Sequence, residues 1–254
     1  MLLAGSALKG YAIEANDGRI GTVSDLLFDD TTWKVRWLVV DTGTWLTGRK
    51  VLIHPSSIAR IDYEHQELPV HLTRAQVKDS PDIAQDAPVS RQMQDNLYDY
   101  YDWDPLWGGV NYFGGYPGLI GEPLAMPVYQ QDIELLERPG PEDGDPQLRS
   151  IAEVIGYHVH ASDGRIGHVL NILMDDTHWG IHYFIVDTKD WWFGQHVLVS
   201  PFAVKGISWL EHEIRTNLTR DQVKASPPWD PAAVIDRAYE QHLHGYYGWP
   251  SYGW

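Results

Sequence analysis

Apolar and polar positions alternate along most of this chain in short runs, the period-two signature of half-buried β-strands. The clearest run is Trp33, Val35, Trp37 and Val39, which the alternation predicts on one core-facing side of a strand, with Lys34, Arg36, Leu38 and Val40 on the other. That second side turns from charged to apolar midway. The far end of the strand is therefore apolar on both sides, and something must cover its outer face. The pattern recurs 146 residues later as Trp179, Ile181, Tyr183 and Ile185, opposite Gly180, His182, Phe184 and Val186.

The recurrence is a duplication. Asn16-Asp17-Gly18-Arg19-Ile20-Gly21 returns as Ser162-Asp163-Gly164-Arg165-Ile166-Gly167, and the same shift aligns Gly10 with Gly156 and Trp103 with Trp249 without a gap. Each copy reads as six short strands, beginning with residues 11–14 and 157–160, with the fifth over residues 58–61 and 204–207. Asp17-Gly18 and Asp163-Gly164 are predicted as centres of two-residue type I′ hairpin turns, a structural role in which glycine supplies the positive φ. Thr73-Arg74-Ala75-Gln76 and Thr219-Arg220-Asp221-Gln222 have the capping-box pattern that opens a short helix.

The repeat continues past the strands. Val89, Met93, Leu97 and Tyr100 recur at helical spacing, matched by Ile235, Tyr239, Leu243 and Tyr246, with Asp230-Pro231 expected to start the second helix. Each helix runs into an aromatic tag, Tyr100-Tyr101-Asp102-Trp103 or Tyr246-Tyr247-Gly248-Trp249. The expected organisation is a β-unit over 1–82, a helix with aromatic clasp over 83–103, a Gly/Pro/aromatic linker over 104–150, a second β-unit over 151–228 and a second helix and clasp over 229–254. The Gly, Pro and aromatic part of the linker is expected to lie on the protein surface.

These features resemble the PRC-barrel family, small barrels met in the cytoplasmic domain of the photosynthetic reaction-centre H subunit and in a ribosome-maturation factor. The resemblance rests on Gly10, the hairpin Asp17 to Gly21, Val39-Val40-Asp41 and Val51-Leu52-Ile53-His54-Pro55, and in the second copy on Gly156, Asp163 to Gly167, Ile185-Val186-Asp187 and Val197 to Pro201. It implies a mainly β fold of two small antiparallel barrels in tandem, of the soluble bacterial type, and protein–protein contact rather than catalysis. A peripheral place in a photosynthetic or other membrane complex is its more distant implication.

Composition narrows the classes of function. A net charge of −16 repels phosphate backbones and argues against a nucleic-acid partner. No run reaches the roughly 18–20 apolar residues of a membrane span, so no integral membrane segment is expected. Residues 1–8 read as the lead-in to the first strand rather than as a secretion signal. Cysteine is absent, which removes disulfides and thiolate chemistry and fits a reducing, cytoplasmic location.

The candidate chemistry is thin. Asp29-Asp30 and Asp175-Asp176 read as turn formers, and Asp41 and Asp187 as acceptors for backbone N–H groups in the loops that follow. Nine of the twelve histidines lie from His158 onward. His158 and His160 share one strand face and are weak metal candidates, set against a solvated strand face. There is no Gly-x-Ser-x-Gly elbow, Walker loop or dinucleotide fingerprint, so no catalytic residue and no cofactor is expected. The twelve Trp and fourteen Tyr exceed what two small cores need. Leu97, Tyr100, Tyr101, Trp103, Tyr239, Leu243, Tyr246, Tyr247 and Trp249 are accordingly the candidate partner-interface residues. The expected function is a non-catalytic interaction scaffold whose partner is a protein, a second copy included, with a metal or small-ligand site in the second unit as the alternative.

Overall fold

The computed structural model describes residues 1–81, 89, 91–103, 147–189, 195–227, 229 and 235–252. Most of the expected linker and the Asp230-Pro231 helix start lie outside these residues. The first copy comprises β1 (Leu2–Ala4), β2 (Ala12–Ala15), β3 (Gly18–Asp29), β4 (Lys34–Asp41), β5 (Lys50–Ile53), β6 (Glu67–Pro69), α1 (Arg74–Lys78) and α2 (Arg91–Tyr101). The second comprises β7 (Leu148–Ser150), α3 (Ile151–Val154), β8 (His158–Ala161), β9 (Gly164–Asp175), β10 (Ile181–Asp187), β11 (His196–Val199), β12 (Val204–Ser208), β13 (Glu213–Thr216), α4 (Arg220–Lys224) and α5 (Arg237–Tyr247).

The mainly β, two-unit architecture is the one the sequence predicts. One sheet runs β5-β4-β3-β2-β6 and the other β11-β10-β9-β8-β13-β12, and neither order closes on itself among the described residues. Pairing within each is antiparallel except where β6 meets β2 and β13 meets β8 in parallel. The fifth strand forms fully only in the second copy, as β12. In the first copy the corresponding residues make only isolated bridges, Ile58 to Val70 and Asp62 to Glu67. Pro69, which stands where the second copy has Arg215, lacks the N–H that would continue the ladder.

Two local predictions are corrected. The hairpin loop is Asn16-Asp17, because Ala15 already pairs with Gly18, and neither loop residue takes the positive φ of a type I′ turn. Gly18 instead opens β3 at φ 127°, and a register shift follows between Ile13 and Glu14. Asp17 has a further use: its Oδ1 accepts the Arg74 N–H at 2.7 Å, tying the hairpin to the start of α1, and Asp163 does the same for Arg220 at 2.8 Å.

The second correction concerns the strand with which the pattern is clearest. Its register shifts between Val35 and Trp37, leaving Arg36 as a bulge, and the second copy shifts identically around His182. One extra residue reverses the alternation. Trp33, Val35, Leu38 and Val40 therefore face the main core, while Trp37 and Val39 turn outward to a separate cluster under α2. Tyr183 and Ile185 turn outward in the same way under α5.

The copies are joined by exchanged strands. Residues 1–8, expected to lead into their own unit, send β1 onto the second copy's β9, pairing Leu2 with Asp175 and Ala4 with Leu173. In return β7 pairs with β3, Leu148 with Asp29 and Ser150 with Leu27. The cause is strand length: β3 and β9 have twelve residues each, and β2 or β8 covers only the first part of one edge. The sister's strand occupies the rest, so no long bare edge is left to pair elsewhere. A pseudo-two-fold axis passes between Lys34 and Gly180, where Val35 N–H donates to Trp179 O at 2.9 Å and Ile181 N–H to Trp33 O at 2.7 Å. One continuous hydrophobic cluster spans both copies. Among the described residues no helix is long and apolar enough to cross a membrane.

Candidate functional site: the two clasps and the cluster under the second helix

Both long helices dock on their own unit. The buried stripe of α2 is Gln94, Leu97, Tyr98 and the half-buried Tyr101, set against Trp37 and Leu52, with Leu148 of the sister's β7 at the edge. Leu243 of α5 packs with Leu173, Tyr183, Ile185 and Leu198, and Leu2 and Ala4 of β1 join that cluster. The expected need for a cover over the outer apolar face is thus met from within the chain. α5 begins behind Asp236, whose carboxylate accepts the Tyr239 N–H at 2.8 Å, and ends at Gly248 in the left-handed region.

The candidate interface residues divide by exposure. Leu97 and Leu243 are buried, Tyr239 is half-buried, and Tyr101 and Tyr247 stack on Trp103 and Trp249 with ring centroids 4.1 Å apart in each copy. Tyr100 and Tyr246 are 42% and 40% exposed, and each donates its hydroxyl to the carbonyl of Gln76 or Gln222. His158 and His160 lie half-buried on β8, and His160 Nε2 stands 3.4 Å from Glu213.

What the helices cover differs between copies. Under α2 the Trp37 Nε1–H donates to Gln94 Oε1 at 2.9 Å, and His54 is enclosed by the rings of Trp37, Tyr98 and Trp103. At the equivalent places under α5 stand Tyr183, Glu240, Ser200 and His244. His244 Nδ1 bonds the Pro250 carbonyl, which can only accept, so Nδ1 carries the proton and Nε2 accepts from the Tyr183 hydroxyl at 2.7 Å. Tyr252 fills the space that Ser200 leaves where the first copy has His54. Its hydroxyl lies 2.7 Å from both Ser200 Oγ and the His182 carbonyl, and its ring lies 3.9 Å from that of His182. His182, the bulge residue, faces Asp175 at 3.4 Å. Glu240 is 1% exposed, and one carboxylate oxygen accepts the Tyr252 N–H at 3.1 Å.

Sequence reasoning missed Gln94, Glu240 and Tyr252 because none is an apolar repeat position, while His182 was already visible on the outer side of its strand. Comparison of the copies, Gln94 with Glu240 and Tyr98 with His244, carries the signal that could have found them. The turn aspartates behave as expected. Asp41 Oδ1 accepts Gly43 N–H at 2.8 Å, Asp187 Oδ1 accepts Lys189 N–H at 3.0 Å, and Asp29 Oδ1 accepts from Thr31 and Thr32.

The burial of histidine has a pH consequence. Burial pushes His54 down to about 3, with the Arg36 charge adding to the effect, and burial also lowers His182 and His244. A histidine with a depressed folded pKa contributes stability that is complete above its unfolded value of about 6.5 and is lost as pH falls below it. At pH 5 that loss is about 2 kcal/mol for His54 alone. Glu240 works in the opposite sense, since burial raises its pKa, and its cost falls as the pH drops toward the ordinary carboxylate range. Three histidines outweigh it. The melting temperature is expected to fall between pH 7.5 and pH 5, and His54→Gln is expected to flatten that fall. Equal melting temperatures at the two pH values would contradict the assignment.

Comparison with known proteins places the first unit. Residues 2–77 match the family model described as PRC-barrel domain. A stretch of 84 residues is 34% identical to a protein of Deinococcus radiodurans described as an uncharacterized protein. That stretch covers 33% of this chain and 30% of the relative, so the chain spans less than a third of the protein it matches. Apart from β12, which has no full counterpart, the second unit repeats the first unit's strand order and registers at the constant shift.

Proposed function

We propose that this chain, whose residues 2–77 match the PRC-barrel domain family, is a non-catalytic protein–protein interaction scaffold that presents two unlike faces from one two-fold frame. The observation that carries the reading is where the copies agree and where they diverge. Facing the core, Val23 and Val169, Leu26 and Ile172, Val35 and Ile181, and Val40 and Val186 keep apolar character. On the outer side of the sheets, Ala12, Thr22 and Lys50 correspond to His158, His168 and His196. Duplication with a constant core and altered faces suits a frame that holds two different contacts at fixed geometry.

The polar groups under α5 support this reading over catalysis. Tyr183, Glu240 and His244 are 3% exposed or less and are packed against rings and carbonyls, in the space a substrate would need. Tyr100 and Tyr246 are the interface candidates that a partner can reach, and tyrosine is a residue type enriched in binding hot spots. The partner class is protein, with a second copy of this chain included.

Affinity capture from the native host, beside sizing of the purified chain, tests the proposal. A specific protein or a second copy is expected to bind the wild type and to bind Tyr100→Ala/Tyr246→Ala roughly 30-fold more weakly, since hot-spot truncations cost about 2 kcal/mol. Binding that the double variant leaves unchanged, or turnover of a small molecule by the pure chain, would overturn it.

A further inference from the structure

The strand registers place five titratable side chains in one row across the second sheet. Glu213 is opposite His158, His158 opposite His168, His168 opposite Asp187, and Asp187 opposite His196, on β13, β8, β9, β10 and β11. Residues opposed across a ladder project from the same side of a sheet. The row alternates carboxylate and imidazole except at its centre, where two histidines meet. The His158 N–H donates away from β9, to the His212 carbonyl at 2.8 Å. His158 and His168 are therefore a non-hydrogen-bonded pair, the closer of the two antiparallel kinds, with Cα atoms about 4.5 Å apart.

We infer that the second unit binds a divalent transition-metal ion through the imidazoles of His158 and His168, with water completing the coordination. Imidazole suits copper, nickel and zinc. Among the described residues no group of three or more His, Asp or Glu side chains is placed to hold a metal ion, so the protein supplies two ligands here, both from half-buried histidines. Glu213 and Asp187 flank the pair in the row and supply negative field. Each is engaged elsewhere, Glu213 with His160 and Arg215 and Asp187 with Lys189, and neither acts as a ligand.

Three further observations favour this pair over any other. The His158 Nδ1 is sealed from solvent and has no hydrogen-bond partner. His160, the next residue outward on the same face, is opposed by Arg165 and Arg215, and its Nε2 is already engaged by Glu213 at 3.4 Å. The first copy is the internal control. Its row at the same registers reads Glu67, Ala12, Thr22, Asp41, Lys50, a carboxylate frame without a single imidazole.

Titration calorimetry with zinc and nickel chlorides on the full chain, with melting temperatures followed in parallel, tests the assignment. The wild type is expected to bind one ion in this unit and to melt higher in its presence. His158→Ala and His168→Ala are each expected to weaken that binding at least tenfold, and the size-conserving His168→Asn equally, while His160→Ala leaves it unchanged. Melting curves without metal show that each variant is folded. Absence of binding by the wild type, binding that survives both His168 substitutions, or an equal loss in His160→Ala would overturn the site.

Discussion

Gly167→Ala is expected to leave little folded protein. A Cβ at this position would stand 1.9 Å from the Asp187 carbonyl oxygen and 2.8 Å from its carbon, and the residue holds φ at 146°. The obstacle is backbone on the neighbouring strand, at the point where β10 ends and the Asp187 side chain gathers the following loop. No rotamer change relieves it. An overlap of that kind together with an unfavourable φ belongs among the most severe single substitutions, at roughly 4–5 kcal/mol. A domain's whole stability is about 5–15 kcal/mol. Gly21→Ala repeats the clash in the first copy, 2.1 Å from the Asp41 carbonyl oxygen, and should behave alike. Gly206→Ala, where an added Cβ meets nothing within 4 Å, is the control. Thermal melts by circular dichroism decide the point. A Gly167→Ala protein that melts with the wild type would show that the strands do not approach as described.

Leu3→Asp carries the second large effect, and it falls on the other copy. Leu3 is 8% exposed in the shared core and sits opposite Met174 in the β1–β9 ladder. Losing a buried leucine costs about 1.5–3 kcal/mol, and a carboxylate left without a partner raises the total to roughly 3–5 kcal/mol. By sequence this residue belongs to the first copy, yet the strand it would dislodge completes the edge of β9. Amide exchange should therefore accelerate over residues 173–175 of the second copy. Acceleration confined to residues 9–81 would contradict the exchange.

The sequence carried the repeat, the six strands of the second copy and five of the six expected in the first, the capping boxes and the need for a cover over the outer apolar face, because each is written in local periodicity or turn chemistry. What it concealed were effects of register. The bulge at Arg36 and His182 has no local signature, since an inserted residue looks like any other until its partner strand is known. The exchange of β1 and β7 was hidden for a related reason: three residues of strand do not say which edge they will join. The same holds for the histidine row. His158 and His160 were visible as neighbours two apart, but the closer partner of His158 is His168, brought opposite by a hairpin whose register the sequence left open. The clasp residues were found by the repeat and its helical spacing, while the buried Gln94 and Glu240 were not, because the docked face of each helix is rotated from the apolar repeat toward these two residues, leaving Tyr100 and Tyr246 outside.

The central claim is that two copies in one chain form a single structural body, through exchanged strands, paired backbones at Lys34 and Gly180, and one continuous core. Scanning calorimetry of the intact chain tests it most directly. One transition, with equal calorimetric and van't Hoff enthalpies, is the expected result. Two separable transitions, one for each copy, would contradict it.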